Sequence, residues 1–420
     1  MTTSSRDKLI ATLNHRQPDR VCVDFGATAV TGIHVSALSR LRRALIGDED
    51  YRVKVIEPYQ MLGEIDDTLR EYLGIDVVSV NLPNTMFGFR NENWKPFTLF
   101  DGTEALVPGN FNVTPDERGG LYIYPEGDTS VPPSAFMPQG GDFFDALCRQ
   151  NPIREEYLDP ADNLEEFALL SEDDIACLSR KSKEVAEKNM GAILIAPGAA
   201  FGDIALVPAT WMKKTRGIRD VQEWYISTIA RRDYVYKVFE RQCEIALQNM
   251  NRLIDALGGS IQAVFLTGTD FGTQQGLFIS KKSYQDLYKP FHKAINDMIH
   301  KNSDWKTFIH SCGSVYELIP EFIDAGFDIL NPVQCSAAGM DAARLKKEFG
   351  RDLVFWGGGV DTQKTLPFGA PDQVYQEVRE RIQIFNEGGG FVFNSIHNVQ
   401  SKVPLENMLA MFRAVKDDGQ

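Results

Sequence analysis

WKTFIHSCG (Trp305–Gly313), FDILNPVQ (Phe327–Gln334) and LVFWGGGVD (Leu353–Asp361) are three short apolar runs with helical stretches between them, and each ends in residues able to bind or react. The same rhythm extends in both directions. GAILIAP (Gly191–Pro197) and IQAVFLTGTD (Ile261–Asp270) precede them, GGFVFNSIHN (Gly389–Asn398) follows, and long helical segments such as Ser280–Lys301 and Ala370–Glu387 lie between. Alternating strands and helices call for a parallel sheet. Adding VKVIEP (Val53–Pro58) and IDVVSV (Ile75–Val80) brings the strands to about eight, the number that closes a (β/α)8 TIM barrel. A doubly wound open sheet is the alternative.

Outside this rhythm stand two further pieces. Ser4 and Ser5 cap a first helix reaching Leu13, an N-terminal helical segment that leads through RQPDRVCVDFG into the barrel. Between about Asn91 and Gln139, FTLF, TEALVPG and GGLYIYPEGD are strands joined by Asp-Gly and Gly-Gly turns, a small antiparallel β insertion within one barrel domain spanning residues 1–420. This insertion either covers the barrel mouth or forms a homodimer contact. Beyond it, Asn163–Asn189 supplies a helix.

The 420 residues are 43% hydrophobic and 24% charged, enough for a large core. A net charge of −14 argues against a nucleic-acid partner, because phosphate recognition rests on clustered Lys and Arg. The first twenty residues hold no signal-like apolar core, and no run approaches membrane-spanning length, so no membrane is expected and a cytoplasmic location is. Six cysteines are too sparse for a disulfide scaffold; Cys22, Cys148, Cys177 and Cys243 are expected to be packing residues.

In a barrel the strand ends share one rim, where the active site sits. The candidates are therefore Glu57 with Tyr59 and Gln60, Asn81, Asp270, His310 with Cys312, Gln334 with Cys335, Asp361, and His397 with Asn398 and Gln400. His310 and Cys312 lie two apart on one strand lip and point the same way, offering an imidazole and a thiolate to a metal such as zinc. His397, across a closed mouth, is the candidate third ligand, with Cys335 in reserve. Asp270 is expected to hydrogen-bond substrate or a metal-bound histidine, unless it caps its own turn. Asp361, after the three glycines of WGGGVDT, is expected to face the mouth. Glu57 is a fourth ligand, an acid near substrate, or a helix-start carboxylate.

Taken in order, His310–Gln334, Leu345–Val378 and Gly388–Val415, together with Gly268–Lys293 and the opening LNHRQPDRVCVDFG, resemble the uroporphyrinogen decarboxylase superfamily in its methyltransferase-like branch. That resemblance implies a barrel enzyme that binds zinc and moves a methyl group between a small O-, N- or S-methyl substrate, or a thiol, and a corrinoid (cobalamin) carried by a partner protein. It implies zinc on His310 and Cys312, with His397 where the methyltransferases carry a later cysteine. Asp270, Asp361 and Glu57 are then the catalytic candidates, and Tyr59, Gln60, Asn81, Gln334, Asn398 and Gln400 the substrate-binding ones. The decarboxylase branch relies on an aspartate after an early strand, yet none occurs between Asp76 and Asp101. A cofactor-free decarboxylase and a non-catalytic binding barrel are the alternatives.

Overall fold

The computed structural model describes residues 3–164 and 167–418. Eight parallel strands form one sheet: β1 (Cys22–Val23), β2 (Val77–Val80), β3 (Gly191–Ile195), β4 (Ala263–Thr267), β5 (Lys306–His310), β6 (Ile329–Asn331), β7 (Val354–Trp356) and β8 (Phe391–Phe393). Each strand from β2 to β8 pairs with its predecessor or successor in the chain, and β8 returns to pair with β1, with Cys22 opposite Val392. Helices such as Lys289–Asn302, Pro371–Asn386 and Leu405–Lys416 follow the strands. This is a (β/α)8 TIM barrel.

The seam between β1 and β2 is closed by one side chain. Asp76 N–H donates to the Val23 carbonyl at 2.8 Å, and the Val23 N–H donates back to the Asp76 carboxylate at 3.0 Å. Asp76 is fully buried, and its charge is met by Lys8 at 2.8 Å, Arg20 at 3.2 Å and the Ser5 hydroxyl at 2.8 Å. The carboxylate replaces a ladder bond that a two-residue strand is too short to supply.

VKVIEP is not a barrel strand. Val55–Glu57 instead pairs antiparallel with Leu62–Gly63, because Pro58 and the turn after it fold the chain straight back. Its place in the barrel belongs to the VCV of the opening segment.

Strand alternation sends Cys22, Val77, Ile193, Ala263, Phe308, Ile329, Val354, Trp356 and Val392 into the barrel, where they pack with Leu9 and Leu13. The helix Ser5–Leu13, capped by Ser4, thus plugs the N-terminal end.

Between β2 and the helix Glu172–Glu187 lie an antiparallel hairpin (Lys95–Thr98 with Glu104–Val107) and a four-stranded antiparallel sheet ending at Asp145–Ala146. Its buried Phe111, Ile123 and Phe144 belong to the same apolar cluster as the outer barrel layer. The helix Glu172–Glu187 begins at a Ser171/Asp174 capping box, later than the sequence pattern suggested; Glu165 and Glu166 of that pattern lie outside the described residues. No helix among the described residues is long and apolar enough to cross a membrane.

Candidate metal centre

His310 is the last residue of β5, two positions after inward-facing Phe308, so its ring also points into the barrel. It pairs across the sheet with Asn331, the last residue of β6. The Asn331 amide donates to the Trp356 carbonyl at 2.7 Å, which turns its oxygen toward His310 Nδ1 at 2.5 Å. An oxygen there accepts only if Nδ1 carries the proton, leaving the Nε2 lone pair free. That lone pair faces Cys312 Sγ at 3.3 Å.

Cys312 sits in a loop pinned from several sides. Its N–H donates to Asp270 Oδ1 at 2.7 Å, the Gly313 N–H donates to Gln334 Oε1 at 2.7 Å, and Ser311 Oγ accepts from the Phe271 N–H at 2.9 Å. Gly313 is in the left-handed region at φ +88°, and a Cβ there would lie 2.5 Å from the Gly272 carbonyl. Only glycine lets these two loops touch.

The ring of His397, beyond β8, meets that of His310 edge-on with centroids 5.6 Å apart. One donor atom from each of His310, Cys312 and His397 lies within 4.8 Å of the others. Burial, and then the neighbouring His310, lowers the His397 pKa to about 3, so the imidazole is neutral. Burial, and then Asp270, pushes the Cys312 thiol well up. Two imidazoles and a sulfur fit zinc, whose catalytic sites keep three protein ligands and one open position. Metal binding would displace the Cys312 proton. A cleft of about 260 Å³ opens beside Cys312 and His397, with Gln274, Gln334 and Gln363 in its walls.

The other sequence candidates divide. Asp270 stands beside the trio, Oδ1 3.8 Å from His310 Nε2, and Gln334 lines the cleft. Cys335 is not part of the trio; it packs against the apolar core, and burial raises its thiol to about 11. Asp361 does not line the cleft beside the trio; its Oδ1 accepts from the N–H groups of Gln363 (2.7 Å) and Lys364 (3.1 Å) of its own turn, and it lines a separate cavity with Lys364 and Arg381. Asn398 and Gln60 bond to each other at 2.8 Å and to the Ala29 carbonyl, stapling the β1 and β8 loops together; Gln400 donates to the Asn398 carbonyl. Tyr59 Oη accepts from the Ala146 N–H of the insertion. Glu57 and Asn81 line a different cavity.

Three residues escaped the sequence reading. Asn331 was the inward residue of FDILNPVQ by alternation from Ile329, a signal that strand-end counting passes over. Asp24, fully buried after β1, accepts from Trp356 Nε1 at 2.9 Å and the Ala27 N–H at 3.1 Å, and burial raises its pKa to about 7. Asp203, also buried, accepts from the Gly268 N–H at 3.0 Å at the base of the Asp270 loop.

A family model described as uroporphyrinogen decarboxylase (URO-D) matches residues 204–417, just over half the chain and the part that carries all three donors. The chain belongs to the uroporphyrinogen decarboxylase family. A uroporphyrinogen decarboxylase from Mannheimia succiniciproducens is 25% identical over 181 residues, 41% of this chain and 45% of that protein. A methylated-thiol–coenzyme M methyltransferase from Methanosarcina mazei is 27% identical over 139 residues, 33% of this chain and 34% of that protein. The chain thus spans about half or less of the length of these curated relatives. A solved methyltransferase from Methanosarcina mazei shares the fold across 99% of both chains, with a TM-score of 0.53 at 15% identity.

Proposed function

We propose that this member of the uroporphyrinogen decarboxylase family is a zinc-dependent methyltransferase, moving a methyl group between a small O-, N- or S-methyl compound, or a thiol, and a corrinoid on a partner protein. The observation that carries the reading is the convergence of His310, Cys312 and His397 within 4.8 Å at the open rim. The similarity to a methylated-thiol methyltransferase supports it.

His310 Nε2, Cys312 Sγ and His397 would hold the ion. Zinc there supplies a Lewis acid that polarises a methylated heteroatom or lowers the pKa of a thiol. Asn331 keeps His310 in the tautomer that offers Nε2. Asp270 fixes the Cys312 backbone and sets a carboxylate beside His310, favouring a cationic charge at the centre. Gln334 holds the Gly313 turn, and the amides of Gln274 and Gln363, bonded to each other at 2.7 Å, orient substrate in the cleft.

Elemental analysis of the purified protein tests the reading. The expected result is about one zinc per chain, lost in Cys312→Ala and His397→Ala, with methyl transfer to free reduced cobalamin lost alongside. No zinc after reconstitution under reducing conditions would overturn it.

A further inference from the structure

A second and larger cavity, about 580 Å³, opens on the β1–β4 side of the mouth. It exists because side chains there are small: Ala27 follows β1 and Ser79 is the inward residue of β2, where bulky branched residues usually fill a barrel. Phe265, inward from β4, forms its floor and stays partly exposed, and Trp94 from the insertion side forms another wall. The floor joins the cavity to the metal centre, because the Phe265 ring stacks on His310 with centroids 6.5 Å apart and planes 30° apart.

One charge in this cavity lacks an opposite. Lys54 pairs with Glu64 at 3.2 Å and Arg70 pairs with Asp67, but Lys181 has no carboxylate within ion-pair distance among the described residues. Its ammonium donates only to the Asn81 carbonyl, at 2.8 Å, so two of its three N–H donors are unused. Burial also holds its pKa below the usual lysine value. Glu57, on the same cavity, accepts from the N–H groups of Tyr59 (3.0 Å) and Gln60 (2.7 Å) and makes no ion pair with Lys181. A half-buried ammonium without an ion-pair partner, in a cavity of ligand size with aromatic walls at Phe265 and Trp94, suits an anion attached to an apolar body.

We propose that this chamber binds a small monocarboxylate with an aromatic or branched apolar body, its carboxylate on Lys181 Nζ and its body between Phe265 and Trp94. That this acid is the methyl-bearing substrate rests on the function proposed above; that it binds here does not. The chamber thus restricts the substrate class to acids whose apolar end reaches past Phe265 toward His310.

Isothermal titration of the full chain with benzoate, 3-phenylpropionate and 4-methoxybenzoate, each against its primary amide, tests the proposal. At least one acid is expected to bind about tenfold or more tightly than its amide, the scale of a charge-assisted hydrogen bond. Lys181→Met should erase that preference with an unchanged melting temperature, and Ser79→Leu, which fills the chamber, should abolish binding of both forms. A wild-type protein that stays zinc-free after reconstitution yet still prefers the acid would sink the methyltransferase reading alone. Absence of binding by every acid, equal binding of acid and amide, or a preference that survives Lys181→Met would overturn the chamber proposal, even in a protein that holds zinc.

Discussion

Replacing Asn331 with leucine separates orienting His310 from merely packing against it. Asn331 is fully buried, and both ends of its amide are used: the oxygen accepts from His310 Nδ1 at 2.5 Å and the nitrogen donates to the Trp356 carbonyl at 2.7 Å. Leucine keeps the branching of the side chain but leaves two buried polar atoms unpaired, each costing about 1–3 kcal/mol of fold stability. The imidazole also loses the contact that fixes its tautomer. Removing such an outer partner typically lowers metal affinity about 10- to 100-fold, or about 1.4–2.7 kcal/mol. Asn331→Asp keeps an acceptor on Nδ1 but sets a second oxygen against the Trp356 carbonyl. It should hold zinc at least as tightly as the wild type while losing stability. Competition of metal-stripped protein against a chromophoric zinc chelator, with urea melts of the same samples, reads both quantities. If folded Asn331→Leu binds zinc like the wild type, or Asn331→Asp weakens binding as much as Leu does, the tautomer argument is refuted.

Two further outcomes are open to direct measurement. Gly313→Ala should cost more than about 2 kcal/mol in urea unfolding and remove zinc with it, because its Cβ would meet the Gly272 backbone at 2.5 Å; Gly102→Ala, at φ +84° with nothing within 4 Å, should cost about 1 kcal/mol. Asp24 has its folded pKa raised from 3.8 to about 7, so the native state binds its proton more tightly than the unfolded state does, and the stability this group contributes is full below about pH 4 and lost as pH rises to about 7. Over that window the loss is on the order of a few kcal/mol. Asp24→Asn should flatten the stability profile between about pH 4 and pH 7, and an unchanged slope would show that this carboxylate is not its source.

Most of the barrel was legible because β2 to β8 are apolar runs of ordinary contrast, from Val77–Val80 to Phe391–Phe393, each followed by helix. The strand that was misplaced shows what periodicity cannot see. VKVIEP is longer than VCV, yet Val23 is in the barrel because Phe393 pairs with it on one edge and the Asp76 side chain serves it on the other. Which segment closes a barrel depends on hydrogen-bond partners some fifty residues away in the chain. A polar residue such as Asp76, read locally, looks like an interruption of IDVVSV rather than the reason its neighbour is a strand.

The clustering of His310, Cys312 and His397 was legible for a geometric reason, and the roles of the residues around it were not. Alternation puts His310 and Cys312 on one lip, and barrel closure brings the β8 end beside them, so His397 followed from topology. Asp361 and Glu57 satisfy the same strand-end rule, but their carboxylates accept from the N–H groups two and three residues onward. Position on the rim is therefore necessary without being sufficient. A rim residue is available for chemistry only when its own backbone does not claim its polar atoms, and that depends on the φ and ψ of the turn that follows. His310 passes this test because Asn331 takes Nδ1 and leaves Nε2 facing Cys312. Lys181 passes it for a similar reason: the Asn81 carbonyl takes one N–H and leaves two. In both cases the decisive partner is a main-chain or amide group on an adjacent strand end, a neighbour that sequence spacing does not name.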